Sequence, residues 1–144
     1  MEQSIPIGMI ATRLHRAFED ECFARLSAAG YSDLRMRHSV LLQSLPPEGA
    51  RITDLAVELG MTKQAMGELV DDLEQHGYLT RENDPTDRRA RRIRYTSKGT
   101  DALQRAFVII TELEREYAAL VGETRYAEAR ATFVELLAAL GEAG

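Results

Sequence analysis

The chain has 144 residues, of which 44% are hydrophobic and 28% charged, which predicts a single globular domain with a full core rather than a disordered chain. The absence of Trp and an aromatic content of 6% argue against a stacking platform for single-stranded nucleic acid. A single cysteine, Cys22, excludes an internal disulfide and a Cys-rich zinc site, and it suits a reducing cytoplasm. No apolar run reaches the ~18 residues of a membrane span.

The charge of the chain is unevenly distributed. The net charge is −5, yet residues 85–98 hold six basic residues and one acidic residue, Asp87. The six are Arg88, Arg89, Arg91, Arg92, Arg94 and Lys98. This segment therefore predicts a local anion-binding surface on an otherwise acidic protein.

Helical periodicity dominates the first part of the chain. Residues 7–28 carry apolar side chains at helical spacing, and Gly30 ends that helix. A second helix is predicted from about Leu34 to Ser44, before two prolines. Thr53 is expected to cap a short third helix that runs through Glu58.

The middle of the chain changes from helical to strand periodicity. Thr62 is expected to cap a fourth helix that ends near His76, followed by Gly77. Residues 78–82 and 92–96 alternate as strands do, and residues 83–87 are turn formers. This pattern predicts a β-hairpin with a basic tip.

The last part of the chain is again helical. A long helix is predicted from about Ser97 to the interruption at Gly122, followed by a final helix. The flanking helices, residues 7–28 and 100–141, carry long apolar stripes. These stripes pack either on each other within one subunit or, as we favour, on a second subunit, because the central segment can bury its own core without them.

Residues 53–76 have the pattern of a helix-turn-helix. Ala56 is small where two helices would cross, Gly60 suits a turn with positive φ, and Met66 is apolar where the second helix would rest on the first. The residues predicted to meet DNA at the start of the second helix are Thr62, Lys63, Gln64 and Ala65. Taken alone, the same pattern also fits two ordinary core helices.

The basic hairpin favours the DNA-binding alternative. A helix-turn-helix followed directly by a hairpin with an Arg-rich tip is the pattern of a winged helix, in which the wing contacts the backbone and the minor groove. Three acidic residues late in the fourth helix are expected to point away from DNA, because like charges repel: Asp71, Asp72 and Glu74.

The segment DPTDRRARRIRYTSKG, residues 84–99, resembles the wing signature of MarR-family regulators. Asp87 and Arg89 stand at the predicted wing tip, and a strand leads to Thr96 and Gly99 at matching spacing. The stretch from Ile52 to Arg81 and the order of the helices are also similar to that family.

The resemblance implies a fold and a mode of action. The expected fold is mainly α with a small β-wing, a winged helix-turn-helix over residues 31–99, with dimerisation helices at residues 1–30 and 100–144. It implies a homodimer on a pseudo-palindromic operator, with Arg89 in the minor groove and Asp87 fixing its side chain. Arg88 and Arg91 extend the predicted DNA surface, and they, like Arg92, exceed the signature.

Many members of that family bind a small aromatic or anionic effector between the dimer helices and the DNA-binding lobe. Candidate effector contacts here are His15, Phe18, Tyr31, Arg37, His38 and Phe107, although each also fits ordinary packing. Cys22 lies late in the first helix, which does not match the cysteine of peroxide-sensing members, so we expect it in the core.

The predicted function is therefore a cytoplasmic, homodimeric, DNA-binding transcriptional regulator. It is expected to act as a repressor that a small effector releases from DNA. The alternative is a winged-helix module that docks a partner protein and does not bind DNA specifically. An enzyme is not expected, because no phosphate-binding loop or nucleophile with a base is found. No cofactor or metal is expected, because His15, His38 and His76 are scattered.

Overall fold

The computed structural model describes residues 4–141 of the chain. In chain order its elements are α1 (Ile7–Ala28), a 3₁₀ turn (Met36–His38), α2 (Ser39–Ser44), β1 (Ala50–Arg51), α3 (Ile52–Glu58), α4 (Lys63–Gln75), β2 (Leu79–Asn83), β3 (Arg91–Tyr95), α5 (Ser97–Val121) and α6 (Glu123–Ala139). A mainly helical chain with a helix-turn-helix and a small wing confirms the predicted fold class. Within the described residues, no helix is long and apolar enough to cross a lipid bilayer.

The chain divides between Phe107 and Val108 into two compact units. The first unit holds every element from α1 to β3 and the start of α5. The second holds the rest of α5 and α6. The helix-turn-helix and the hairpin thus belong to one unit.

The sheet is antiparallel, with strand order β1-β3-β2. The predicted hairpin is confirmed, with Leu79 opposite Tyr95 and Asn83 opposite Arg91. The first strand was not predicted, because two residues are too few for an alternating pattern. Ala50 pairs with Ile93 and Arg51 with Arg92, so β1 joins the start of α3 to the wing.

The core of the first unit lies between the helices and the sheet. Its fully buried side chains come from α2, α3, α4 and the hairpin: Leu41, Leu55, Met66, Val70, Leu73, Tyr78, Leu79 and Ile93. Their spacing on α4 follows the helical period, so burial of this face fixes how α4 rotates about its axis. The opposite face of α4 is left to solvent.

Two predicted helix starts are wrong. The second helix does not begin at Leu34; the chain first makes the 3₁₀ turn, which the His38 ring closes by accepting the backbone amide of Arg35 at 3.0 Å. The third helix begins at Ile52, with Arg51 as its N-cap, so Thr53 lies inside the first turn and is not a cap. The start of α3 is set by the pairing of Arg51 with β3, and local helix propensity does not indicate this pairing.

Thr96 and Gly99 connect the hairpin to the end of α4. The Thr96 amide donates to the Tyr78 carbonyl at 3.0 Å, and its hydroxyl donates to the Gly77 carbonyl. The same hydroxyl oxygen accepts from the Gly99 amide at 3.0 Å, which caps α5. At Gly99 a Cβ would overlap the Tyr78 carbonyl oxygen. The predicted Thr-x-x-Gly helix start is therefore also a packing contact.

Candidate nucleic-acid interface

The turn between α3 and α4 has the predicted geometry. Gly60 has φ +61°, and the Met61 amide donates to the Ala56 carbonyl at 2.8 Å, which closes the end of α3. Ala56 and Met66 are both buried, as expected for residues at a close helix crossing. The crossing holds the first turn of α4 at the surface.

The first turn of α4 presents a polar tip. Thr62 is the N-cap, and its Oγ1 accepts from the Ala65 amide at 3.0 Å. Lys63 and Gln64 are exposed, whereas Ala65 is half-buried. The predicted DNA-facing residues thus lie together, with two exposed side chains able to donate hydrogen bonds to base edges.

The wing tip is a tight turn organised by Asp87. Its carboxylate Oδ1 accepts from the Arg89 backbone amide at 2.9 Å, and its carbonyl accepts from the Ala90 amide at 3.0 Å. The carboxylate therefore holds the backbone of the loop. The expected contact between Asp87 and the Arg89 guanidinium stays a prediction.

A buried carboxylate fixes the base of the wing. Asp84 is only 3% exposed, and it accepts from Arg51 Nε at 2.7 Å and from the Thr86 amide at 2.8 Å. The Arg51 guanidinium and the Thr86 donors hold the pKa of Asp84 well below its usual range. The wing is therefore tied to β1 through an ionised side chain.

Sequence reasoning assigned Asp84 only to a turn. The Asp-Pro-Thr triplet does indicate the local turn, in which the aspartate accepts from a backbone amide two residues later. Its ionic partner Arg51 lies 33 residues away, so the sequence gives no sign of the pairing.

The six basic residues of the wing segment fall into two groups. Three are engaged by the protein: Arg92 donates to the Gly49 carbonyl at 3.0 Å, Arg94 pairs with Glu82 at 3.4 Å, and Lys98 donates to the His76 carbonyl at 2.8 Å. The other three have exposed side chains and no ion pair with any described residue: Arg88, Arg89 and Arg91. These three form the part of the cluster that is open to an anionic partner.

The three acidic residues in the second half of α4 have basic partners within the first unit. Arg81 of β2 pairs with Asp71 at 2.6 Å and with Glu74 at 2.7 Å. Asp72 accepts from Arg37 and from His38. These carboxylates therefore anchor the second half of α4 to its neighbours.

His38 is fully buried and links the 3₁₀ turn to α4. Because the Arg35 amide donates to Nδ1, the ring proton lies on Nε2, which donates to Asp72 Oδ2 at 2.6 Å. Burial lowers the pKa of His38, so the ring is neutral at pH 7. Burial raises the pKa of Asp72, but the His38 hydrogen bond and the Arg37 charge outweigh it and leave that pKa lowered. The pair is a neutral donor on an ionised acceptor.

The six candidate effector contacts have different surroundings. Arg37 and His38 meet at Asp72, and both ring nitrogens of His38 are occupied. The half-buried Tyr31 ring lies 6.3 Å from the Tyr78 ring. The others are exposed or half-buried residues of α1 and α5: His15, Phe18 and Phe107. Among the described residues, no three His, Cys, Asp or Glu side chains are grouped to hold a metal ion.

Cys22 is 7% exposed, in agreement with the expectation of a core residue. Burial raises the pKa of its thiol, which lowers the thiolate fraction at neutral pH. A low thiolate fraction disfavours oxidation.

Replacing Asp72 with alanine is expected to lower the free energy of unfolding by about 2 kcal/mol, because the buried Nε2–H of His38 would lose its acceptor. Asp71→Ala is the matched control. It removes a neighbouring carboxylate from an exposed ion pair, and it should cost less than about 1 kcal/mol. Urea denaturation of both variants at one protein concentration measures the difference. Equal losses would contradict the role given to His38.

Comparison with known proteins supports the same fold. A MarR-family model matches residues 39–90, from α2 to the wing tip. The transcriptional regulator Tm0710 from Thermotoga maritima is 25% identical, with 94% of each chain covered and a TM-score of 0.68.

Two further solved structures carry ligands. CouR from Rhodococcus jostii RHA1, bound to p-coumaroyl-CoA, is 24% identical, with 94% of this chain and 95% of that chain covered and a TM-score of 0.68. A MepR variant from Staphylococcus aureus, bound to an oligodeoxyribonucleotide, is 18% identical, with 95% and 99% covered and a TM-score of 0.60.

The wing signature, the helix-turn-helix and the family match fall on the same part of the chain. The fold extends the likeness over 94% of the chain. Together they confirm the resemblance drawn from the sequence: residues 39–90 match the MarR-family model, and the chain has the winged helix-turn-helix fold of solved transcriptional regulators.

Proposed function

We propose that the protein is a homodimeric repressor that binds a pseudo-palindromic DNA operator through α4 and the wing. The observation that carries the proposal is the division of the wing cations. Arg88, Arg89 and Arg91 stay exposed and without an ion pair among the described residues, while Asp84 and Arg51 hold the loop beneath them. An arginine cluster held in this way at a surface turn suits phosphates and a narrow minor groove.

The tip of α4 supplies the second half of the proposed interface. Lys63 and Gln64 are exposed in its first turn, where the positive end of the helix dipole favours phosphate. A lysine can donate to guanine and a glutamine can pair with adenine in the major groove. In this proposal α4 contacts base edges in the major groove, and the wing contacts the DNA backbone and the minor groove. The oligodeoxyribonucleotide bound to the MepR variant is consistent with such a use of this fold.

The proposed dimer rests on apolar side chains that the single chain leaves in solvent. In the first unit, the start of α1 exposes Ile7, Met9, Ile10 and Leu14. In the second unit, α6 and its C-cap expose Phe133, Val134, Leu136, Leu137 and Leu140. Patches of this kind mark interaction sites, and a symmetric pair of identical chains is the commonest arrangement that covers them.

A small aromatic or anionic effector is the remaining part of the proposal. Arg37 joins the 3₁₀ turn to Asp72 of α4, so an anion that competes for its guanidinium would act directly on the proposed recognition helix. A ligand shifts the protein between two arrangements only by its difference in affinity for them. CouR, which binds p-coumaroyl-CoA, offers a precedent within this fold. Selection of DNA with and without added aromatic carboxylates tests this release.

The test of DNA binding starts with selection of bound duplexes from a random pool, followed by titration of the selected duplex. Arg89→Ala is expected to weaken binding by about 1–3 kcal/mol and to relax preference at an A·T position. Arg94→Ala is the matched control, because it removes the same charge from the same hairpin but from a side chain already paired with Glu82.

The titrations also decide between the two functional alternatives. The affinity should fall steeply with salt, with a slope of about −0.9 for each phosphate contact in a plot of log K against log salt. A protein that enriches no duplex even at low salt would contradict the proposal and favour the partner-docking module. Equal losses of DNA-binding affinity for Arg89→Ala and Arg94→Ala would mean that the wing contributes only positive charge and makes no specific contact through Arg89.

A further inference from the structure

The outward face of α4 carries a carboxylate close to the proposed DNA-reading tip. Glu68 is exposed one turn after Gln64, and Gln64 Nε2 donates to Glu68 Oε1 at 3.4 Å. The two side chains are therefore neighbours on the face that the core leaves open.

Glu68 differs from the other acidic residues of its helix. Asp71, Asp72 and Glu74 each bind an arginine or a histidine of the first unit. Glu68 has no basic partner among the residues that the structure describes. An uncompensated carboxylate on a DNA-facing surface repels phosphates. Its presence therefore weakens binding to every duplex that makes no favourable contact with the carboxylate.

Gly67, the residue before Glu68, is a second unusual feature. It lies inside α4, and a Cβ built on it would have no heavy atom within 4 Å. Glycine destabilises a helix interior by roughly 0.5–1 kcal/mol relative to alanine. Because the fold leaves open space at this position, packing within the chain does not require a glycine. A molecule that approached the helix backbone closely at this position would require one.

Together these features have a chemical interpretation in the major groove. Guanine and thymine present acceptor atoms there, and adenine presents an acceptor beside its amino group. Cytosine presents only an amino donor, so a carboxylate is attracted to it and repelled by the acceptors of the others.

We propose that Glu68 is a specificity-determining residue that accepts a hydrogen bond from the N4 amino group of a cytosine in each operator half-site. Gln64 holds the carboxylate in place, and Gly67 lets the helix surface come close enough for it to reach. This inference rests on the proposed function, because it requires α4 to lie in the major groove.

The test compares the DNA preferences of wild type and Glu68→Ala by selection from a random duplex pool. The wild type should require cytosine at one position of each half-site. In Glu68→Ala that preference should fall about tenfold, while affinity for an unrelated duplex rises severalfold because a negative charge is gone. Glu58→Ala removes an exposed carboxylate from α3 and is the matched control; it should keep the cytosine preference.

The outcomes separate the two proposals. A wild type that selects no duplex overturns both. A wild type that selects an operator whose cytosine preference survives in Glu68→Ala overturns the role of Glu68 alone. Equal weakening on operator and unrelated DNA would also overturn it, since loss of a repulsive charge cannot weaken non-specific binding.

Gly67→Ala tests the close approach without removing a polar group. The variant should unfold at a higher temperature than wild type, because alanine favours the helix, yet bind the operator about tenfold more weakly. These opposite signs distinguish a DNA contact from a folding defect. Unchanged operator affinity would overturn the close approach of α4.

Discussion

Replacing Gly99 with alanine is expected to destabilise the protein by about 3 kcal/mol, the upper part of the range for overpacked sites. A Cβ at this position would overlap the Tyr78 carbonyl oxygen and lie 3.1 Å from its carbonyl carbon. Both atoms belong to the backbone, so no side chain can swing away. Relief requires α5 to move from the end of α4, which would strain the Thr96 hydrogen bonds that join them.

Urea denaturation at one fixed protein concentration measures this effect, since the stability of the proposed dimer would depend on concentration. Gly67→Ala is the control, because it makes the same substitution in another helix where the added Cβ meets open space. The control should be as stable as wild type or more so. A Gly99→Ala variant with wild-type stability would contradict the packing role given to this glycine.

Introducing glutamates at Leu137 and Leu140 is expected to convert the protein to a monomer. The two residues are 48% and 77% exposed in the single chain, so the change should cost the subunit little stability. In the proposed dimer the same positions would place charges in an apolar interface, where burial of an unpaired charge is strongly unfavourable. In sedimentation, the doubly substituted chain should therefore have half the molecular mass of the wild-type protein.

Loss of the dimer should weaken operator binding by about 10²–10⁴-fold, because each half-site would be bound without the help of the other. Val57→Glu is the control for oligomeric state. Val57 is 82% exposed but lies on α3, outside the proposed dimer surface. Sedimentation and duplex titration measure the two effects. A doubly substituted chain that remains a dimer would contradict the assignment of α6.

Local patterns were sufficient to predict most of the helix-turn-helix and the wing. Thr62 as a cap, Gly60 with positive φ and the hairpin strands are each determined by residues close in sequence. Such features depend on backbone conformation and on short-range hydrogen bonds, so a few neighbouring residues carry the information. Thr53 failed as a predicted cap because pairing of Arg51 in β1, a distant contact, sets the start of α3.

The candidate interface was predicted only in outline. The sequence indicated a cluster of six basic residues. In the fold, Arg92, Arg94 and Lys98 bind other groups of the protein, and the other three have no ion pair with any described residue. His38 and Arg37 were considered as effector contacts, and the structure places both on Asp72. Their partner lies more than 30 positions away, so spacing alone does not indicate it.

The sequence by itself determined the fold class of the protein, because a capped helix, a glycine turn and an arginine-rich hairpin are local features with recognisable spacing. Tertiary structure alone decided which charged side chains are paired within the chain and which are open to a binding partner. Asp84 is buried and pairs with Arg51, Asp72 is half-buried and pairs with His38, and Glu68 is exposed, although all three are acidic residues in polar segments. The physical reason is that the effect of a charge depends on its neighbours and on its exposure to water, and folding sets both through contacts between residues far apart in the chain.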